Sequence, residues 1–224
     1  MNRNVRIFPD AEQVAQAALQ MWLERLRSAT DPYWVSLAGG STPKSLYQAL
    51  AASGADLSKL HLIWGDERFV PPDHEESNFR MVREALLDRA QVGSHRAWSI
   101  LENAEASARD YENWLQENRP QGVDLCLLGM GDDGHTASLF PDTAALDEVQ
   151  RWAVENWVEK FSSHRLTLTY PYLEKSQEVM FLITGAGKAR ALKEVLEHGL
   201  HPSSRIRAQK SVYYLVDRAA AAQL

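Results

Sequence analysis

Asp124-Leu125-Cys126-Leu127-Leu128-Gly129-Met130-Gly131-Asp132-Asp133-Gly134-His135-Thr136-Ala137-Ser138 begins as an apolar run of strand length and then breaks into glycines, carboxylates and an imidazole. Glycine lets a backbone turn tightly and approach a ligand closely. Carboxylate and imidazole are the side chains best suited to moving protons near neutral pH. A strand that ends this way delivers chemistry to the edge of a sheet. The spacing of Gly129, Gly131 and Gly134 also satisfies G-x-G-x-x-G, the dinucleotide fingerprint. That mechanism needs a helix N-terminus open to a pyrophosphate. Two adjacent carboxylates and an early Pro141 argue against it, leaving either a catalytic loop or a glycine turn with solvated aspartates.

Outward from this stretch, strand-like and helix-like segments alternate. Asp10 with Gln13 marks a helix start, and Ala15, Ala18, Leu19, Trp22, Leu23 and Leu26 keep helical period. Strands are expected over 33–38, 60–64, 97–101, 123–129, 152–158, 165–170, 179–184 and 212–216. Further helices are expected after Ser41-Thr42-Pro43, after Ser77 or Asn78, over 104–118 and over 186–198. This alternation predicts an α/β fold, a mostly parallel Rossmann-like sheet with helices on both faces. With no repeat, low-complexity tract or long linker, residues 1–224 read as one domain.

Such sheets bind ligands beyond the carboxyl ends of their strands. Four polar clusters follow strands here: Gly39-Gly40-Ser41-Thr42, Asp66-Glu67-Arg68, Asp132-Asp133-Gly134-His135 and Gly185-Ala186-Gly187-Lys188. Their common placement predicts one pocket. Ser41 and Thr42 suit an anion at a helix N-terminus, or plain N-caps. The Gly185–Lys188 segment lacks the glycine and hydroxyl a nucleotide P-loop needs, since Leu182 and Ala189 stand at those positions. Lys188 can still meet a single phosphate as a point charge, with Arg165 adding a fork of donors. Asp66, Glu67 and Arg68 read either as a surface charge cluster or as part of the site.

Composition narrows the classes. Of the 224 residues, 45% are hydrophobic and 24% charged, which fits a globular protein. A net charge of −6 argues against a general nucleic-acid binder but not against a small anion held in a local positive pocket. The single cysteine, Cys126, lies inside an apolar strand, as a small hydrophobe does, and fits a reducing cytoplasm. The first residues lack the apolar core of a signal peptide, and no apolar run reaches the ~20 residues that span a bilayer. No metal site is expected, because cysteine clusters and His-Glu-x-x-His are absent. A Gly-x-Ser-x-Gly elbow is absent too, which argues against a serine hydrolase.

In combination the motifs resemble the 6-phosphogluconolactonase family. The resemblance lies in Leu37-Ala38-Gly39-Gly40-Ser41-Thr42-Pro43, Trp64-Gly65-Asp66-Glu67-Arg68, Ser77-Asn78-Phe79-Arg80-Met81, Leu128 to Pro141, Arg165-Leu166-Thr167-Leu168-Thr169 and Gly185-Ala186-Gly187-Lys188-Ala189. It implies a fold shared with glucosamine-6-phosphate isomerases, no cofactor, and a sugar-phosphate lactone as substrate, handled as a monomer or homodimer. It implies a phosphate and substrate cradle of Gly39, Gly40, Ser41, Thr42, Arg165 and Lys188. It further implies His135 as acid/base with Asp133 nearby, and Asp66 and Arg68 at the lactone end. Related isomerases carry a glutamate seven residues after the motif's aspartate, where Phe140 stands here. An amino-sugar phosphate isomerase and a non-catalytic sugar-phosphate sensor are the alternatives. A sensor would normally carry a DNA-binding segment, whereas this chain starts directly into the α/β pattern.

Overall fold

Leu125–Leu128 forms a strand whose four side chains are all buried. A strand covered on both faces reads as an unbroken apolar run. In the computed structural model, which describes residues 3–224, that strand lies within a seven-stranded sheet. The strands in chain order are β1 (Arg3–Phe8), β2 (Tyr33–Leu37), β3 (Leu60–Trp64), β4 (Asp66–Arg68) and β5 (Ser94–Arg96). They continue with β6 (Leu125–Leu128), β7 (Ala153–Val158), β8 (Ser163–Leu168), β9 (Glu178–Ile183) and β10 (Ser211–Asp217). The large sheet runs β1-β10-β9-β6-β2-β3-β5, and every pairing in it is parallel.

The chain builds outward from β2 through β3 to β5, then returns to the other side of β2 at β6. The order therefore reverses between β2 and β6, and a crevice opens at such a switch point. Gly39-Gly40 follows one of these strands and Gly129-Met130-Gly131 the other.

The helices are α1 (Ala11–Ser28), α2 (Ser41–Ala51), α3 (Asn78–Val82), α4 (Ala104–Asn118), α5 (Tyr170–Leu173) and α6 (Ala189–Lys193). Asp10 caps α1 by accepting the Gln13 amide at 2.9 Å, and Val14, Ala18, Trp22 and Leu26 form its buried face. α1 and α2 pack against each other, while α4 packs against β7 and β8. Trp22, Trp64, Tyr47 and Tyr111 are fully enclosed in the core. Burial of each large apolar side chain contributes about 1.5–3 kcal/mol.

Several expectations change. β7 and β8 do not extend the parallel sheet; with β4 they form a separate antiparallel one, ordered β4-β8-β7. Only residues 159–162 join β7 to β8, too few for a parallel crossover of a dozen or more residues. The strand expected over 97–101 falls instead at Ser94–Arg96. Its polar edge residues carry no alternation, while the apolar residues after it are irregular and serve packing: Trp98 stacks on Tyr111 at 3.8 Å and donates to the Trp64 carbonyl. β1 was not expected; Val5 and Ile7 on this edge strand are exposed. The helix expected over 186–198 is a composite, a 3₁₀ turn, then α6, then a π turn ending at Gly199 in the left-handed region. No helix of the described residues is long and apolar enough to cross a membrane.

Candidate active site

The peptides that deliver glycine to the switch point are locked from beneath. At the end of β2, the buried Tyr47 hydroxyl accepts the Ala38 amide at 3.0 Å and donates to the Ala38 carbonyl at 2.8 Å. At the end of β3, Tyr111 treats Trp64 in the same way, at 2.9 and 3.0 Å. Burial raises the pKa of both phenols, so the hydroxyls stay protonated as donors.

Gly39 has no room for a side chain, because a Cβ would lie 2.1 Å from Oδ1 of Asn78. Asn78 Nδ2 in turn donates to the Asp66 carbonyl at 3.1 Å and approaches its carboxylate at 3.4 Å. The other carboxylate oxygen of Asp66 accepts the Ser138 hydroxyl at 2.8 Å. Asp66 is thus held from two sides. Glu67, buried rather than at the surface, accepts the amides of Arg68, Asn78 and Phe79 and the Ser77 hydroxyl. It is a brace for the start of α3, and burial pushes its carboxyl pKa upward against those bonds.

The loop after β6 is built around His135. No helix follows the three glycines, so the dinucleotide geometry is absent. Asp133 Oδ1 accepts both the backbone amide and ring Nδ1 of His135, at 3.1 and 2.5 Å. Burial pushes the Asp133 carboxyl upward. The His135 hydrogen bonds and the Lys160 ammonium outweigh that and hold it well below the usual carboxylate range. When neutral and donating Nδ1–H to that carboxylate, the ring leaves its lone pair on Nε2. Gly131 must be glycine, since a Cβ there would lie 2.0 Å from Nδ1. The imidazole stacks on Phe140, with centroids 3.9 Å apart. Ser203 clamps the Gly134 carbonyl through its amide at 3.1 Å and its hydroxyl at 2.7 Å.

These segments enclose a cavity of about 210 Å³, lined by Gly39, Gly40, Asp66, Arg68, Asn78, Gly129, Gly131, His135, Thr136 and Lys188 among others. All four polar clusters contribute to its surroundings. Ser41 and Thr42 do not line it, and neither is an N-cap: Gly40, at φ 108°, holds that place, and the Thr42 hydroxyl contacts that of Thr184 at 2.7 Å. Arg165 is not on the cavity wall either. It stands beside Arg68 in antiparallel register, buried, with its guanidinium 5.0 Å from the Phe161 ring centroid and Nε lacking a hydrogen-bond partner. Burial, then the neighbouring Arg68 charge, lowers its pKa. Arg68 donates to the Glu76 carbonyl at 2.7 Å.

Asn78, Thr136 and Ser138 were not singled out from sequence as site residues. The Gly39–Asn78 collision and the hold on Asp66 reveal Asn78 and Ser138, and the cavity wall reveals Thr136, whose hydroxyl donates to the Gly129 carbonyl at 2.8 Å. Cys126 is enclosed, and burial pushes its thiol up to about 12, which leaves no thiolate for chemistry. A larger cleft of about 570 Å³ lies at the amino ends of the strands. Its walls include charges already paired, such as Arg25 with Glu178, and it lies away from the loops that bear His135.

Comparison with known proteins matches residues 9–214 to the family described as glucosamine-6-phosphate isomerases/6-phosphogluconolactonase. The chain is 38% identical to a 6-phosphogluconolactonase of Nostoc, over 100% of this chain and 99% of that protein. It is 34% identical to one of Haemophilus influenzae, over 95% and 96%. Among solved structures, the 6-phosphogluconolactonase of Thermotoga maritima superposes with a TM-score of 0.86 at 30% identity, covering 96% of this chain and all of that one. A monomeric glucosamine-6-phosphate deaminase shares the fold, with a TM-score of 0.85 at 21% identity over 99% of this chain and 100% of that one.

Proposed function

The chain belongs to the glucosamine-6-phosphate isomerase/6-phosphogluconolactonase family, and from that premise we propose that it hydrolyses 6-phospho-D-glucono-1,5-lactone to 6-phosphogluconate in the oxidative pentose phosphate pathway. The observation that carries this reading is the His135–Asp133 pair beside a cavity that also holds Arg68 and Lys188. A proton acceptor and two cations stand together there.

A δ-lactone is an activated ester, so water suffices as nucleophile. Neutral His135 takes a proton at Nε2 as the water oxygen bonds to C1. The electron pair of the carbonyl moves onto its oxygen, where Arg68 opposes the charge. When the tetrahedral species collapses, the bond from C1 to the ring oxygen breaks, and the imidazolium returns its proton to that oxygen. Asp133 keeps Nδ1 protonated and the ring in plane throughout. Asp66, fixed by Ser138 and Asn78, accepts from sugar hydroxyls near C1. The carboxylic acid formed ionises at neutral pH, which releases one proton per turnover.

Lys188, Gly39 and Gly40 of the cavity wall receive the 6-phosphate, with Arg165 beside Arg68 and the helix start at Ser41 and Thr42 adjoining that wall. Two in-register arginines, one with an unpartnered buried Nε, favour an anion nearby. Replacing Arg165 or Lys188 by Ala is expected to weaken 6-phosphogluconate binding by about 1.5–3 kcal/mol, roughly 10–150-fold. Titration calorimetry checks this, and binding of unphosphorylated gluconate should hardly change. Equal losses for both ligands would place these charges elsewhere. The function itself is tested by proton release from fresh 6-phosphogluconolactone, corrected for spontaneous hydrolysis, with unphosphorylated gluconolactone alongside. Catalysis of the phosphorylated lactone above background is the expected result; its absence would refute the reading.

A further inference from the structure

We infer that Lys160 is a positioning residue for this reaction, holding the Asp133 carboxylate against His135 and offsetting its charge so that the imidazole is free to accept a proton. The inference rests on the role proposed for His135.

The two oxygens of Asp133 are divided. Oδ1 serves the His135 amide and ring, while Oδ2 lies 3.5 Å from Lys160 Nζ. The same ammonium lies 3.6 Å from Asp132 Oδ1. Lys160 comes from neither the loop of His135 nor the large sheet. It sits in the 3₁₀ turn Glu159–Phe161 that joins β7 to β8. That turn is docked by more than charge, for Phe161 meets Phe140 edge-on at 5.7 Å, and Phe140 is the ring stacked on His135. The short β7–β8 connection therefore places one cation at the second oxygen of the Asp133 carboxylate, outside the lining of the His135 cavity.

The sign follows from the charges. A bare carboxylate on Nδ1 stabilises imidazolium, whereas hydrolysis needs the neutral ring. A cation on the far oxygen opposes that stabilisation while keeping the hydrogen bond. The other charged groups around His135 are Asp66, Arg68 and Lys188 in the cavity wall, Asp132 in its own loop, Arg165 against Phe161, and Asp142 and Glu159, which line the hollow that Asp133 and Lys160 share. His201, paired with Glu194, packs on Gly134. None of these is paired with Asp133.

Lys160→Met should move the acidic limb of the kcat–pH profile to higher pH, by about half a unit to one unit. A partner at this distance exerts up to several times that effect when buried, and solvent screens an exposed one. On the acidic side, turnover then falls by about 3–10-fold. Lys160→Arg should restore the limb, and high salt should narrow the gap between Lys160→Met and the native protein. Because Lys160 is 54% exposed, the substitution leaves the core untouched, and Lys160→Gln serves as a second neutral variant. A limb unmoved in both neutral variants would overturn the inference. The profile of His135→Asn separates the two ideas: native turnover in that variant refutes the His135 reading itself, while an inactive His135→Asn with an unmoved Lys160→Met limb refutes only the role of Lys160.

Discussion

His135→Asn is expected to lower turnover of 6-phosphogluconolactone by about 10²–10⁴-fold, the range that positioned acid/base help supplies. Asparagine retains a polar group of similar reach but cannot take and return a proton at neutral pH. The site should otherwise survive, because Phe140 is held independently by Phe161 and the loop glycines by their own backbone bonds. Binding of 6-phosphogluconate should therefore stay within a few-fold of the native protein. Steady-state proton release and product titration together check this. Native turnover in the folded variant would remove His135 from the chemistry.

Gly131→Ala should be nearly as damaging, though it touches no reacting atom. The methyl group would be built 2.0 Å from His135 Nδ1 and 2.6 Å from Asp133 Oδ1. The methyl and the ring cannot both stay, so the imidazole must leave its carboxylate or the loop must shift. A displacement of about 1 Å at a catalytic group can cost 10²-fold, and a loss of at least that size in kcat is expected, with little change in melting temperature. Gly187→Ala is the control, since nothing lies within 4 Å of a Cβ at that position and Gly187 does not line the cavity. If the two alanines have equal and small effects, the close fit around the imidazole does not matter to catalysis.

The legible parts of the chain were those with strong local patterns. Leu125–Leu128 is apolar because it is covered on both faces, and the glycines after it announce a backbone approached closely from above. Asp10 and Gln13, or the period of Ala104–Asn118, fix helices through contacts a few residues apart. β1 and β5 escaped because edge strands need only backbone pairing, and their side chains remain free to be polar. The antiparallel β7–β8 pair was legible in principle, since a connection of residues 159–162 cannot carry a parallel crossover. Asn78 escaped for another reason: its part depends on Gly39, 39 positions earlier, and no local period records a contact across strands. The same holds for Lys160, which reads as a surface charge until the turn that carries it is placed beside Asp133.

Phe140 gives the sharpest distinction between chemistries on this scaffold. Where the related isomerases place a glutamate, this chain stacks an aromatic ring on the imidazole at 3.9 Å. Lactone hydrolysis needs no proton carried between C1 and C2, so an apolar wall there leaves it unimpeded, whereas an isomerase would lack its acid/base group. The most direct measurement gives the pure protein 6-phosphogluconolactone and glucosamine 6-phosphate in parallel, following proton release from one and ammonia from the other. Rapid lactone hydrolysis above the spontaneous rate, with no ammonia, is the expected result; ammonia and fructose 6-phosphate at a catalytic rate, without lactone hydrolysis above background, would contradict a lactonase assignment.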